Sequence, residues 1–104
     1  MSAKEKRRSE KQEAARAVGK IRARVIDAEN GLRLLSGVRA VRIKSRGYNL
    51  LIMDDYMPAL GQIDGGITFL TGDGELRLEQ IRGFYKHQHN EFTLLIEEGA
   101  KWTE

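Results

Sequence analysis

The 104-residue sequence contains no cysteine, a single proline and a single tryptophan. Without thiols there are no disulfides and no thiolate metal sites, which fits a reducing compartment. No apolar run approaches the roughly 18 residues that cross a bilayer as a helix, and no apolar stretch of signal-peptide type follows the charged amino terminus. The expectation is a cytoplasmic protein, able to sit at the periphery of a membrane. Aromatic residues make up only 7% of the chain, and of these only Tyr48 lies near a basic stretch. A base-stacking platform for single-stranded nucleic acid is therefore unsupported. The length accommodates one domain, which buries roughly 60–65% of the surface its unfolded chain exposes.

The net charge of +3 is unevenly spread. Residues 1–24 carry nine Lys/Arg against three Glu, whereas residues 25–104 carry nine Lys/Arg against twelve Asp/Glu. Basic character thus belongs to an arm and the body is mildly acidic. Residues 2–19 hold no Ile, Leu or aromatic side chain, so the division is a basic arm at 1–20, partly helical or disordered, and a folded domain at 21–104.

Within 21–28 two periodicities compete. Ala14, Val18, Ile21, Val25 and Ala28 form a helical stripe, while Ile21, Ala23 and Val25 alternate with Arg22 and Arg24 as in a strand. Asn30-Gly31 favours the strand, as a two-residue type I′ hairpin turn, although the pair also serves as a helix C-cap. Beyond it the pattern is all-β, a small sandwich or barrel, with turn signals every 8–12 residues or so. Strands are expected at 32–36 and 38–44, divided by Gly37. Val41 and Ile43 should point inward against Arg42 and Lys44. Residues 48–53, apolar on both faces, read as a central buried strand. Thr71-Gly72-Asp73-Gly74 reads as a hairpin turn, followed by Leu76 and Leu78 facing in and Glu75, Arg77 and Glu79 facing out. In 83–96, Phe84 and Tyr85 lead into a polar turn, His87-Gln88-His89-Asn90, and residues 92–96 return as a strand.

Candidate chemistry is sparse. His87 and His89 would share a face on a strand, but no third ligand stands at suitable spacing, so they are read as solvated turn residues and no metal is expected. Asp54 and Asp55 end a strand; Asp73, Gly74 and Glu75 fall far short of a calcium loop. Gly61, Gly65 and Gly66 lack the Lys-Ser/Thr and helix of a phosphate loop. Met53 and Met57 read as core or turn filler. No catalytic constellation is present, and neither enzyme activity nor a cofactor is expected. The basic residues Lys4, Lys6, Arg7, Arg8 and Lys11 of the arm, with Arg39, Arg42, Lys44 and Arg46 of the body, are suited to phosphate backbone or an anionic membrane surface.

One resemblance emerges from the last segment. Gly83-Phe84, Asn90 six positions after the Phe, and Phe92-Thr93-Leu94-Leu95 resemble the end of the β-sandwich domain of the rotary ATP synthase epsilon subunit. Upstream, Gly37-Val38 with Val41, Gly47 with the apolar run to Met53, then Pro58, and Gly65 or Gly66 keep that family's order over residues 21–98. Of the family's Gly-His-Ala-Pro-Leu turn only Pro58 remains, in Asp55-Tyr56-Met57-Pro58-Ala59, and its two C-terminal helices have no counterpart. The resemblance implies a non-catalytic binding or assembly module that docks onto a protein partner in a larger complex, a stalk. The expected contacts are Asp54, Asp55, Tyr56, Met57 and Pro58 in one loop and Thr71, Asp73 and Glu75 in the other. The alternative is a small β domain that binds nucleic acid through the basic residues above. A homodimer through an exposed strand edge is a further expectation.

Overall fold

The computed structural model describes residues 18–98, and the backbone alone of 102 and 103. The described chain is β throughout: β1 (Ile21–Asp27), β2 (Gly31–Ser45), β3 (Tyr48–Met53), β4 (Ala59–Thr71), β5 (Gly74–Gln88), β6 (Glu91–Glu98) and the short β7 (Trp102–Thr103). The segment is therefore strand as far as Asp27, with Ala28 in the turn, as the alternation of Ile21, Ala23 and Val25 with two arginines indicates: the three apolar side chains are buried and Arg22 and Arg24 exposed.

Five strands close into a barrel in the order β1-β6-β5-β4-β2, and β1 returns to β2. Every neighbour is antiparallel except β1 and β6, which run parallel from Arg22 opposite Glu91 to Asp27 opposite Ile96. An odd number of alternating strands can close only with one parallel pair. Because β2 and β5 each run 15 residues and β4 runs 13, the body is long, 53 × 26 × 20 Å. Inward side chains of all five strands form one core, including Ile21, Val25, Val41, Ile43, Ile63, Ile67, Phe69, Leu78, Phe92 and Leu94. Phe92 lies stacked on Tyr85 and edge-on to Phe69, with both centroids at 5.8 Å.

The structure corrects several expectations. Gly37 takes a positive φ of 65° but does not end a strand. Its carbonyl accepts from the Gly19 amide at 3.1 Å, and β2 runs on, pairing first with β1 and then with β3. The Asn30-Gly31 turn is not a two-residue mirror turn, because only Gly31 has positive φ. Asp27 instead closes a three-residue turn, its carboxylate accepting from the Glu29 amide at 2.9 Å and the Asn30 side-chain amide at 2.8 Å. Burial alone would raise the Asp27 pKa, but these hydrogen bonds outweigh it and hold the carboxyl below its usual value. β3 is not central. It is an edge strand paired only with β2, and Ile52 is its one fully buried side chain. Met53 and Met57 are exposed rather than filling core.

The segment 83–96 is a hairpin as expected, with the turn shorter than anticipated. β5 continues through Gln88, leaving His89 and Asn90 as the turn, both at positive φ. Gly83 marks the tight crossing of β5 over β6: a Cβ there would lie 1.9 Å from the Leu95 carbonyl oxygen. His87, one strand residue further in, is part of the core rather than a solvated turn residue.

Candidate docking surface

The register of four strands builds a continuous apolar row on the outside of the barrel. Leu32 of β2 lies opposite Ile26 of β1, Ile26 opposite Leu95 of β6, and Leu95 opposite Phe84 of β5. All four are exposed. Two residues along each strand lies a second row: Leu34, Arg24, Thr93, Lys86 and Leu60, again in direct register. Among the described residues no ion pair engages Arg24 or Lys86. On the other side of the apolar row Arg82 lies 3.8 Å from Asp64 and 3.7 Å from Glu98. A register shift there leaves Glu97 and Glu98 both exposed. Beyond the second row, Arg22 and Glu91 pair at 2.9 Å. A shallow depression of about 350 Å³ runs over β1, lined by Arg22, Arg24, Leu34, Leu35 and Thr93 among others. Contiguous exposed apolar surface rimmed by charge is the usual signature of association.

The loop residues expected to meet a partner divide between the two ends of β4. Asp54, Asp55, Tyr56, Met57 and Pro58 cross from β3 to the start of β4, while Thr71 closes its far end and Asp73 and Glu75 follow. Thirteen residues at about 3.3 Å each set these loops about 40 Å apart, so they do not form one surface. The crossover is tied down over long sequence separations. The Lys20 amide donates to Asp54 and its ammonium to Asp55, both at 2.8 Å. The Asp55 amide donates to Asn90 Oδ1 at 2.7 Å, and Asn90 Nδ2 donates back to the Asp55 carboxylate at 3.0 Å. The hydrogen bond from Lys20, then that from Asn90, lowers the Asp55 pKa, and the same Asp55 contact raises that of Lys20. Met57 and Leu60 stand out from this end.

Beneath the crossover lies His87, 0% exposed, with neither ring nitrogen hydrogen-bonded among the described residues. It packs between Tyr56 and Phe92, at centroid distances of 6.4 and 6.3 Å. Burial lowers its pKa and favours the neutral ring. His89 is exposed in the turn, so the two imidazoles do not converge. No group of three metal-ligating side chains occurs among the described residues. The Tyr48 hydroxyl donates to the Gln62 carbonyl and accepts from the Tyr85 hydroxyl at 3.2 Å, and closes the side of β4 that β2 does not reach. Burial, followed by the Tyr48 hydrogen bond, raises the Tyr85 pKa. At the opposite end the Thr71 hydroxyl accepts from the Asp73 amide and donates to the Gly74 carbonyl, and Glu75 pairs with Arg77 at 3.0 Å.

Of the basic residues, Arg39, Arg42 and Lys44 lie exposed along β2, and Arg46 follows it, 3.9 Å from Asp64. Arg42 and Lys44 flank a depression of about 140 Å³ that Glu75 and Glu79 also line. Acidic side chains thus interrupt this patch. Lys4, Lys6, Arg7, Arg8 and Lys11 lie outside the described residues. Sequence reasoning missed the apolar row, whose members come from four strands, and the burial of His87. For His87 a signal existed: Ile81, Gly83, Tyr85 and His87 alternate on one face of β5.

No known family matches the sequence, and no curated protein matches it. Among solved structures, the chain is similar to one from the mitochondrial ATP synthase of Tetrahymena thermophila, in a structure of its central stalk and c-ring. The TM-score is 0.60 over 76% of this chain, at 12% sequence identity. The likeness is one of fold. This chain spans 64% of the length of that neighbour.

Proposed function

We propose that this β-barrel is a non-catalytic assembly module that docks onto the stalk of a rotary ATPase, in the manner of the epsilon subunit. The observation that carries a docking role is the crossover that follows β3, whose Asp54 and Asp55 are tied to Lys20 and Asn90. The stalk is the partner class that the fold shared with a central-stalk structure supports. The crossover at 54–58, held rigid by Lys20 and Asn90 with Met57 and Leu60 turned outward, is the contact offered to that partner. The hairpin that carries Thr71, Asp73 and Glu75 serves a separate contact at the far end. Lys20 belongs to this docking body through Asp54 and Asp55, and the module works in the cytoplasm, beside a membrane.

The test is affinity capture of the full chain at native expression, followed by native electrophoresis and mass spectrometry. Co-migration with rotary ATPase subunits is expected, and changing Met57 and Leu60 together to Asp should abolish it while leaving the circular dichroism intact. A chain that migrates free of every ATPase subunit overturns the proposal.

A further inference from the structure

The outer wall carries a charge pattern that makes it complementary to itself. On one side of the apolar row stand Arg24 and Lys86, two positive charges on either side of Thr93. On the other side Glu97, Glu98 and Asp64 outnumber Arg82 and Arg46 by one. The two flanks are therefore opposite in sign, one row away from Leu32, Ile26, Leu95 and Phe84.

We propose that the occupant of this wall is a second copy of the chain, related by a two-fold axis that lies along the apolar row. Such an axis reverses the strand direction and keeps each residue's position across the strands. It lays the apolar row on its own copy. It also brings Glu97 and Glu98 of the second copy over Thr93, between Arg24 and Lys86, with that copy's Arg82, paired to its Glu98, over Lys86, twice per dimer by symmetry. An axis along the strands would instead set Arg24 and Lys86 against the same residues of the copy, so the charges select one of the two packings. A heterologous partner would need to complement each flank, but nothing would require the flanks to complement each other.

Two sheets packed face to face stand about 10 Å apart, and four strands by three rows cover about 400 Å² of wall. That footprint, about 800 Å² for the two copies together, is below the standard size and belongs to a weak, transient dimer. The inference rests on reading the wall as an association surface, and leaves the crossover at 54–58 free for the stalk.

The experiment is sedimentation velocity of the full chain from low micromolar to submillimolar concentration, in low and high salt. The expected mass rises from 11.8 kDa toward twice that value, with dissociation favoured by salt. The double variants R24E/K86E and E97K/E98K should each weaken self-association by about tenfold or more. An equimolar mixture of the two should restore it, because both flanks are then complementary again. All four positions are exposed, and circular dichroism checks that each variant folds. A wild-type chain that stays monomeric at every concentration overturns the proposal. So does a dimer indifferent to both charge reversals, or one lost only when the β3 edge is altered. Self-association that appears only after residues 1–17 are deleted also overturns it, since the arm is then the occupant. A monomer that nonetheless captures rotary ATPase subunits removes the dimer and leaves the assembly role standing.

Discussion

The two ends of β4 solve the same problem, reversing or redirecting a strand, by opposite means. At the Thr71 end one hydroxyl organises a two-residue turn, and every hydrogen bond it makes lies within three residues. At the Ala59 end the chain is held by Lys20 and Asn90, each 35 residues from Asp55, above a buried histidine. Three non-glycine residues there, Asp55, His89 and Asn90, adopt positive φ. Such backbone is costly unless the surroundings enforce it. A local turn can be read from four residues and altered with local consequences. A turn made by distant partners is rigid only while all of them are present, and is therefore the end suited to presenting a fixed surface.

The comparison breaks most completely if the support beneath the crossover is removed. Phe92 touches Tyr85, Phe69 and His87, so Phe92→Ala leaves a cavity under the crossover end. Chemical denaturation should show a loss of about 3–5 kcal/mol. If the two ends are as different as the contacts indicate, hydrogen exchange at 54–58 should rise well before that of residues 71–74.

Acid discriminates between the ends next. His87 is buried and neutral with a lowered pKa, so the unfolded chain binds its proton first as pH falls. Stability is full above the unfolded value of about 6.5 and falls by about 1.4 kcal/mol per pH unit below it, until the folded pKa is reached. His87→Leu should abolish this slope below pH 6.5 and raise stability at neutral pH by about 1–2 kcal/mol, since two unpartnered nitrogens leave the core. Urea unfolding as a function of pH measures both. Asp55 acts in a lower window: its lowered pKa contributes stability above the ordinary carboxylate value of 3.8 and loses it as pH falls further. An unchanged slope in His87→Leu would place the acid sensitivity elsewhere.

A smaller change tests the tie itself. Asn90→Gly keeps the positive φ but deletes both side-chain hydrogen bonds to Asp55. The expected loss is about 1 kcal/mol, with faster hydrogen exchange of the Asp55 amide and no change at Asp73.

The same contrast explains how much was legible in the sequence. The strand at 21–27, the inward Val41, Ile43, Leu76 and Leu78, and the turn at Gly72-Asp73 all follow from spacing within a few residues, and each appears as expected. Gly37 misled because a glycine marks a special φ without saying whether the hydrogen-bond ladder stops. Here β1 pairs on both sides of it and β4 takes up pairing from Val38 onward. β3 misled because apolar composition reports what a strand can bury, whereas burial depends on having a neighbour on each side, and β3 has one. The apolar row was invisible for a stronger reason. Ile26, Leu32, Phe84 and Leu95 are unremarkable singly, and only the pairing of four strands sets them side by side.

The least expected effect is at the local turn, and it decides whether the ends really differ. Thr71→Val removes the hydroxyl that accepts from Asp73 and donates to Gly74, while retaining a β-branched side chain suited to the end of a strand. The turn is exposed, so water replaces both partners and the loss should be only about 0.5–1 kcal/mol. Hydrogen exchange should quicken at residues 72–74 and stay unchanged at 54–58. A larger loss, or one that reaches the crossover along β4, would mean that the strand transmits strain over its full length. The crossover's rigidity would then depend on both ends of β4 rather than on Lys20, Asn90 and the core beneath it.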